Sequence, residues 1–462
     1  MHKLKAYCTV RNIVDSRMYD AVIIGGGPGG YTCAIRAAQL GAKVCLVEKN
    51  GLGGTCTQRG CIPTKYLHSL GDIVRRTNSA RKNGINATVQ INYDLVKSKM
   101  FATVSRLELG IKKLLESHGV ELVQGEARIQ SANKINIDNG SLVETRNLVI
   151  ATGSIPVCMA GYQFGEHILS TTSVLELDQL PKSITIIGGG YSGCEFASVL
   201  NALGCKVCLI EAQDHLLPLQ ISEIGNMVEK FMTLDGITVM TNSSAEKIVG
   251  TTTFVNQQRI ESEKILLCTG RRPNLKSCEL NKLGLNFNSK GINIDRKMRT
   301  NLPSIYAIGD VTGMYELAHV AAKQGEVAAE DIMGVANSGL DYNVVPICVF
   351  TYPEVAIVGD LRTHGKSGQY PLVASAKANC LGDTRGTIKV FEKKGKLVGT
   401  YIVASHAGEM IGEAALAIKT KLSTKEIYDT IHPHPTLPES FQEAVRDIYN
   451  EAIHLPSKKA KE

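Results

Sequence analysis

At 462 residues the chain is long enough for about three domains, and its 44% hydrophobic and 21% charged content excludes a disordered protein. Thirteen cysteines exclude a disulfide-dense secreted scaffold, and their odd number without a paired framework points to a reducing, cytoplasmic setting. The net charge of +7 is spread along the chain, nine Phe and fifteen Tyr with no Trp offer little for stacking on nucleic-acid bases, and no run of eighteen apolar residues could span a membrane.

Residues 1–17 carry Lys3, Lys5, Arg11 and Arg17 but no long apolar stretch, which argues against a secretory signal. Asp15 and the scarcity of serine argue against an organellar presequence, the alternative that would place the protein in the mitochondrial matrix. The segment reads as an arm, or as sequence ahead of a coding start at Met18.

Glycine is concentrated next. Residues 25–60 hold ten of the 44 glycines, where an average composition gives about two or three. An apolar run (Ala21 to Ile24) enters Gly25-Gly26-Gly27-Pro28-Gly29-Gly30, an Ala-rich helical segment stops at Gly41, and a second strand, Lys43 to Val47, ends in Glu48. Strand, Gly-rich turn, helix, strand and acid is the context a dinucleotide-binding turn requires. Gly25 makes the tight turn, Gly27 admits the pyrophosphate, Gly30 packs helix on strand, and Glu48 accepts from a ribose hydroxyl. Immediately downstream, Cys56 and Cys61 are five apart. Zinc would need a second pair with ligand spacing, which is missing. On a helical turn the two sulfurs share a face and can close a disulfide, and a helix starting near Pro63 favours a thiolate.

The nucleotide pattern then returns. A shift of 163 residues aligns Gly25 with Gly188 and Glu48 with Glu211, with fourteen identities in 26 positions between 23–48 and 186–211. Gly188, Gly190 and Gly193 repeat the three glycine roles, so the chain holds two dinucleotide sites. Glu211 favours NAD over NADP, since a carboxylate repels a 2′-phosphate and no arginine follows in Ala212-Gln213-Asp214. Cys205 and Cys208 have redox spacing, but Cys208 is the repeat partner of Cys45 on a buried strand and both read as packing residues. Turns at 148–154, 265–274 and 304–313 read as strand ends. Gly365-Lys366-Ser367 lacks the first glycine of a phosphate loop, since Asp360 stands there. Lys393, Lys394 and Lys396 read as a solvated hairpin tip, and Lys458, Lys459 and Lys461 as a frayed tail. Near the C-terminus His432 and His434 alternate with Pro433 and Pro435, followed by Glu439. The pattern fits a histidine oriented by a carboxylate, and it fits structural capping equally well.

GGGPGG, GGTCTQRGCIPTK, GGGYSGCE, AIGD, ELAHVAAKQGEVAAE, FTYPEVAIVG, AGEMIGEAALAI and HPHPTLPE, in this order, resemble the pyridine nucleotide–disulfide oxidoreductases over about residues 18–455. Within that family the motifs are most similar to the branch that oxidises protein-bound dihydrolipoamide with NAD. The resemblance implies an α/β fold of two Rossmann-like domains plus an α+β dimerisation domain. Its portions would be the arm 1–17, FAD-binding 18–155, NAD-binding 156–274, a second FAD-binding part 275–341, and the interface domain 342–462. FAD would be held by Gly25, Gly27, Gly30, Glu48, Lys65, Ala127, Asp310 and Ala318, with Asp310 on the ribityl chain. NAD would be held by Gly188, Gly190, Gly193, Glu211 and Gly270, with Ala245 matching only loosely. Cys56 and Cys61 would form the redox disulfide, Lys65 and Glu195 would pair beside the flavin, and His434, oriented by Glu439, would serve the partner subunit of a homodimer. No metal is implied. The chain has no lipoyl-bearing module, so the substrate would come on an acyltransferase or a glycine-cleavage carrier protein.

Departures from the family pattern are Gln58-Arg59 in place of Asn-Val, and Pro438 in place of Ser or Thr. Glutathione-type reductases share the cysteine pair but run on NADPH, which Glu211 opposes. A non-catalytic sensor would need neither the cysteine pair nor His434 with Glu439.

Overall fold

A computed structural model describes residues 18–276, 280–362 and 365–457. The arm 1–17, Cys278 and the lysines of the C-terminal tail lie outside the described residues. The helices, in chain order, are α1 (Pro28–Gln39), α2 (Gly54–Arg59), α3 (Cys61–Ala80), α4 (Tyr93–Ser117), α5 (Tyr191–Ala202), α6 (Ser222–Leu234), α7 (Ala318–Ile332), α8 (Ala376–Leu381), α9 (Ala407–Thr420), α10 (Thr424–Asp429) and α11 (Glu439–Asp447). The chain forms two compact units, one from the described residues up to 58, 105–155 and 272–340, the other from 59–104, 156–271 and 341 onward.

The first unit is built on a sheet whose strands β1 (Met18–Ile24), β2 (Val44–Glu48), β3 (Glu121–Gln124), β4 (Ala127–Ser131), β5 (Lys134–Ile137) and β6 (Leu142–Ile150) lie in the order β3-β2-β1-β6-β5-β4. A seventh strand, Ile305–Ala307, also pairs with β6. β1 runs parallel to β2, Ala21 facing Val44, and parallel to β6, Val22 facing Leu148. Alternation along β1 decides what each face packs. Ala21 and Ile23 meet Cys33, Ala34 and Ala37 of α1, while Val22 and Ile24 meet Ile129, Ile135 and Ile137. A strand covered on both faces is apolar throughout, which is why β1 and β2 read as continuous hydrophobic runs.

In the second unit, β7 (Ser183–Ile187), β8 (Lys206–Ile210), β9 (Thr238–Met240) and β10 (Lys264–Leu267) form a parallel sheet in the order β9-β8-β7-β10, extended by Ile168–Leu169. Ile184, Ile186, Leu209 and Leu266 join the core with α5, while Ile187, Ile210, Ile265 and Leu267 fill the opposite face. The unit also holds an antiparallel sheet of β11 (Ile347–Val349), β12 (Glu354–Gly359), β13 (Lys366–Pro371), β14 (Thr387–Lys393) and β15 (Lys396–Ala404), ordered β11-β12-β15-β14-β13. One face, with Ala356, Ile388 and Ile402, packs on α9 and α11. The other, with Val355, Ile357, Tyr401 and Val403, enters the same core as Ile184, Ile186 and Leu200. Asp235 ties these parts further, accepting from Arg75 of α3 at 2.8 Å and from Arg385 at 2.9 Å.

Candidate functional site

Both phosphate turns are constructed alike. Gly25 and Gly188 have φ of +108° and +106°, the left-handed region that favours glycine. A Cβ on them would lie 2.2 Å from the Ala151 carbonyl oxygen and 2.4 Å from that of Cys268. A Cβ on Gly30 would meet the oxygen of Gly25 at 1.8 Å, and one on Gly193 the oxygen of Gly188 at 1.8 Å. These two glycines therefore press helix against strand. Gly27 and Gly190 differ in kind: nothing lies within 3.9 Å of a Cβ on the first, or within 4 Å of one on the second. Each is the N-cap of a helix, and a helix N-terminus beside open space suits a pyrophosphate.

The two acids match as closely. Glu48 Oε2 accepts from the N–H of Gly26 at 2.6 Å and Oε1 from Asn50 at 2.7 Å. Glu211 Oε2 accepts from Gly189 at 2.6 Å and Oε1 from Gln213 at 2.8 Å. Every oxygen keeps a lone pair for a ribose hydroxyl. A cavity of about 570 Å³ opens at the second turn, lined among others by Gly188, Gly190, Glu211, Ala245 and Gly270. Gly193 lies in the packing beneath. The glycine cradle, the acid and the volume suit a dinucleotide.

In the first unit, Asp310 sits at the start of a short 3-10 helix after Ile305–Ala307. Ser154 Oγ donates to its Oδ2 at 2.5 Å, and the fully buried Gln324 accepts from the Gly309 N–H at 2.6 Å. Ala318 opens α7 and Ala127 opens β4, buried at 3% exposure. Gly53 donates its N–H to Gly26 at 2.8 Å, which seats the start of α2 on the first phosphate turn. Cys56 lies in α2. Tyr31, on α1, has its phenol held above its ordinary pKa, first by burial and then by the nearby Cys56. The cysteine pair does not share one helical turn. Cys56 belongs to α2 and Cys61 begins α3, because Gly60 between them takes φ −147° and ψ −108°, outside the helical region. Cys61 thereby gains the helix N-terminus that favours a thiolate. By contrast, burial pushes the Cys205 thiol up to about 12 and that of Cys208 to about 11, as befits packing residues.

In the second unit, Lys65 Nζ donates to Glu195 Oε2 at 2.7 Å. The other Glu195 oxygen accepts from the N–H of Phe350 at 3.1 Å, and Lys65 Nζ lies 4.2 Å from the centre of the Phe350 ring. His68, one turn along α3, meets Phe350 edge-on and stacks on Tyr352 at 4.4 Å. Burial holds its pKa below the ordinary histidine value.

At the C-terminal end, Glu439 starts α11. Its Oε1 faces His434 Nδ1 at 2.8 Å, and its Oε2 accepts from the Thr436 N–H at 2.7 Å. A carboxylate only accepts, so Nδ1 carries the proton and Nε2 is left as the base. Burial raises the Glu439 pKa, but Thr436 and His434 outweigh it and hold the carboxyl below its usual value. The His434 side chain is 70% exposed, whereas His432, at 6%, is fixed by Glu413 at 2.9 Å and by the Thr430 carbonyl. The two histidines thus divide the roles left open in the sequence: His432 has the geometry of a capping group and His434 that of an oriented base. Among the described residues no group of three or more His, Cys, Asp or Glu could hold a metal ion.

Ser154, Gln324 and Phe350 lie inside stretches singled out in the sequence, but their partners are not visible there: Ser154 reaches Asp310 across 156 positions, Gln324 accepts from the Gly309 N–H, and Phe350 offers Glu195 a backbone N–H and Lys65 a ring face.

Residues 19–325 match the family model described as pyridine nucleotide-disulphide oxidoreductase, and residues 345–445 match the dimerisation domain of the same family. The chain is 36% identical over 457 residues to a dihydrolipoyl dehydrogenase of Chlamydia pneumoniae, covering 95% of this chain and 99% of that one. It is 36% identical over 461 residues to the dihydrolipoyl dehydrogenase of Geobacillus stearothermophilus, covering 95% and 98%. The crystal structure of LpdA from Mycobacterium tuberculosis superposes with a TM-score of 0.86 at 27% identity, covering 92% of this chain and 99% of the other.

Proposed function

The chain belongs to the pyridine nucleotide-disulphide oxidoreductase family, and from that premise we propose that it oxidises dihydrolipoyl groups to lipoyl groups through Cys56 and Cys61, with FAD and NAD as cofactors. The observation that carries this reading is the pair of phosphate turns with matching glycine clashes and matching acids, which provides for two dinucleotides in one chain. One site alone would suffice for an ordinary dehydrogenase.

His434 Nε2 takes a proton from one substrate thiol, Glu439 holding the ring in place. The resulting thiolate attacks the sulfur of Cys56, the Cys56–Cys61 bond breaks, and Cys61 leaves as a thiolate at the N-terminus of α3. His434 then hands its proton to the departing sulfur of Cys56 and takes up that of the second substrate thiol, whose sulfur displaces Cys56 and closes the lipoyl disulfide. Lipoyl disulfide departs and the two cysteines hold the electron pair. FAD, when bound, would supply an acceptor for that pair, which NAD would take up as hydride. Gly25, Gly27, Gly30, Glu48 and Asp310, with Ala127, Ala318 and Lys65, would hold FAD. Gly188, Gly190, Glu211 and Gly270, with Gly193 packing the turn, would hold NAD. Lys65, fixed by Glu195, would place a cation beside the flavin.

The division into FAD, NAD and interface portions belongs to this proposal, as does a homodimer in which His434 serves the partner subunit. The dimerisation-domain match supports that homodimer. Lipoyl-bearing acyltransferases or glycine-cleavage carriers would be the partners, in a bacterial-type cytoplasmic setting. The bacterial relatives lend no support to the mitochondrial alternative. Among the described residues no helix is long and apolar enough to cross a membrane.

The test is turnover of dihydrolipoamide with NAD against turnover of glutathione disulfide with NADPH. The expected result is activity with the first pair only, and a long-wavelength charge-transfer band on two-electron reduction of the yellow protein. A protein active only with NADPH and glutathione disulfide, or one without the band, would overturn the reading.

A further inference from the structure

The antiparallel sheet of the second unit gathers like charges at one end. The tip between β14 and β15 carries Lys393, Lys394 and Lys396, all exposed, with Lys394 at φ +54°. Lys366, in register with Glu392, lies on the opposite face of the sheet from Lys393 and Lys396 and is not part of this cluster. The segment leading into α10 is stitched to the same tip: Lys396 bridges Ser423, and the Thr424 N–H donates to Gly395 at 2.9 Å. That stitch brings exposed Lys421 and Lys425 alongside.

None of Lys393, Lys394, Lys396, Lys421 and Lys425 is in an ion pair among the described residues. Of the local acids, Glu426 lies close enough for Lys396 to help hold its carboxyl below the usual range, after its bonds to Ser423, and no acid forms an ion pair with the cluster. Glu392 is 7% exposed and turns inward to accept from the Gly395 N–H, and Glu426 accepts from the N–H and Oγ of Ser423. Lys389, four residues back on β14, shows the contrast, since it is bound to Glu223 at 2.8 Å. The ladder even sets Lys393 directly opposite Lys396, an arrangement that costs stability.

We propose that this five-lysine face is where the protein carrying the dihydrolipoyl group docks, and that the docking face of that carrier is acidic. The inference rests on the reading of the substrate as a dithiol tethered to another protein. Lysine, a mobile point charge, suits long-range steering of a carboxylate-rich surface. Nucleic acid is disfavoured, because the cluster is built of lysines alone, with no arginine to clamp phosphate with two parallel bonds.

The test compares free dihydrolipoamide, which is uncharged, with the same dithiol on a purified lipoyl domain of net negative charge, using the full-length holoenzyme. Two triple variants at positions 393, 394 and 396 are used, Lys→Glu and the milder Lys→Gln, with flavin absorbance as the check on folding. The Lys→Glu variant is expected to raise KM for the domain about tenfold at low salt, and the Lys→Gln variant less, with kcat and the KM for free dihydrolipoamide unchanged. Added salt should erase the difference. Equal KM values for the domain in all three proteins overturn the proposal. So does an oligonucleotide that competes with the domain on the wild-type protein and fails to compete on the variants. Failure of the wild type to oxidise free dihydrolipoamide is a distinct result: it overturns the functional reading and the docking proposal with it.

Discussion

Replacing Glu439 with Gln tests the chemistry at a single atom. In the native site both carboxylate oxygens are occupied, Oε1 by His434 Nδ1 at 2.8 Å and Oε2 by the Thr436 N–H at 2.7 Å. A glutamine has one oxygen. It must face the Thr436 N–H, which turns the NH₂ group toward Nδ1 and makes that nitrogen the acceptor. The ring proton then moves to Nε2, and the base is lost while the shape of the side chain is kept. Loss of a general base costs about 10²–10⁴ in rate. The His434 side chain is 70% exposed, so water can partly stand in, and the expected loss in kcat lies near the lower end, about 10². The assay pairs dihydrolipoamide oxidation with NADH-driven reduction of ferricyanide, a reaction that uses the flavin and bypasses the thiol exchange. The first should fall and the second should not. Equal loss in both would mean that the variant damages the fold, and no loss in either would refute the role given to His434.

The two phosphate turns predict separable failures. Gly30→Ala places a Cβ 1.8 Å from the Gly25 oxygen, so the purified variant should lose its yellow colour. Gly193→Ala has the same 1.8 Å clash at Gly188, and should keep the flavin absorbance while KM for NAD rises more than about tenfold. Loss of flavin by both variants alike would show that the turns do not serve different cofactors. A pH effect follows from Glu354, which accepts from the Gly408 N–H at 3.0 Å. Burial, only partly offset by Gly408 and His406, raises its pKa above the ordinary carboxylate value. The folded protein therefore keeps this proton to higher pH than the unfolded chain, and stability falls as pH rises through that interval. Glu354→Gln retains the hydrogen bond without the charge, so its Tm should exceed that of the wild type at pH 7, with the gap closing near pH 4. An unchanged gap at both values would show that the carboxylate is not strained by burial.

What the sequence by itself determined is local: where strands meet turns, where glycine is obligatory and which acid ends each second strand. The roles of Gly25, Gly30 and Glu48, and of their counterparts 163 residues on, depend on neighbours within one strand-turn-helix-strand unit, so the pattern displays them. It also marked Cys56, Cys61, His434 and Glu439 by spacing. Tertiary structure decided what depends on distant backbone. It split the cysteine pair between two helices at Gly60, and it separated His432 from His434, since Glu413 comes from α9 and only folding brings that carboxylate to the first ring. It brought the N–H of Phe350 to Glu195 across 155 positions and the hydroxyl of Ser154 to Asp310 across 156. The lysine tip shows the same limit. In the sequence Lys393, Lys394 and Lys396 are a solvated turn, and only pairing of the tip with the entry to α10 brings Lys421 and Lys425 to the same end. Such contacts are set by strand register and helix packing, which no short window of sequence contains.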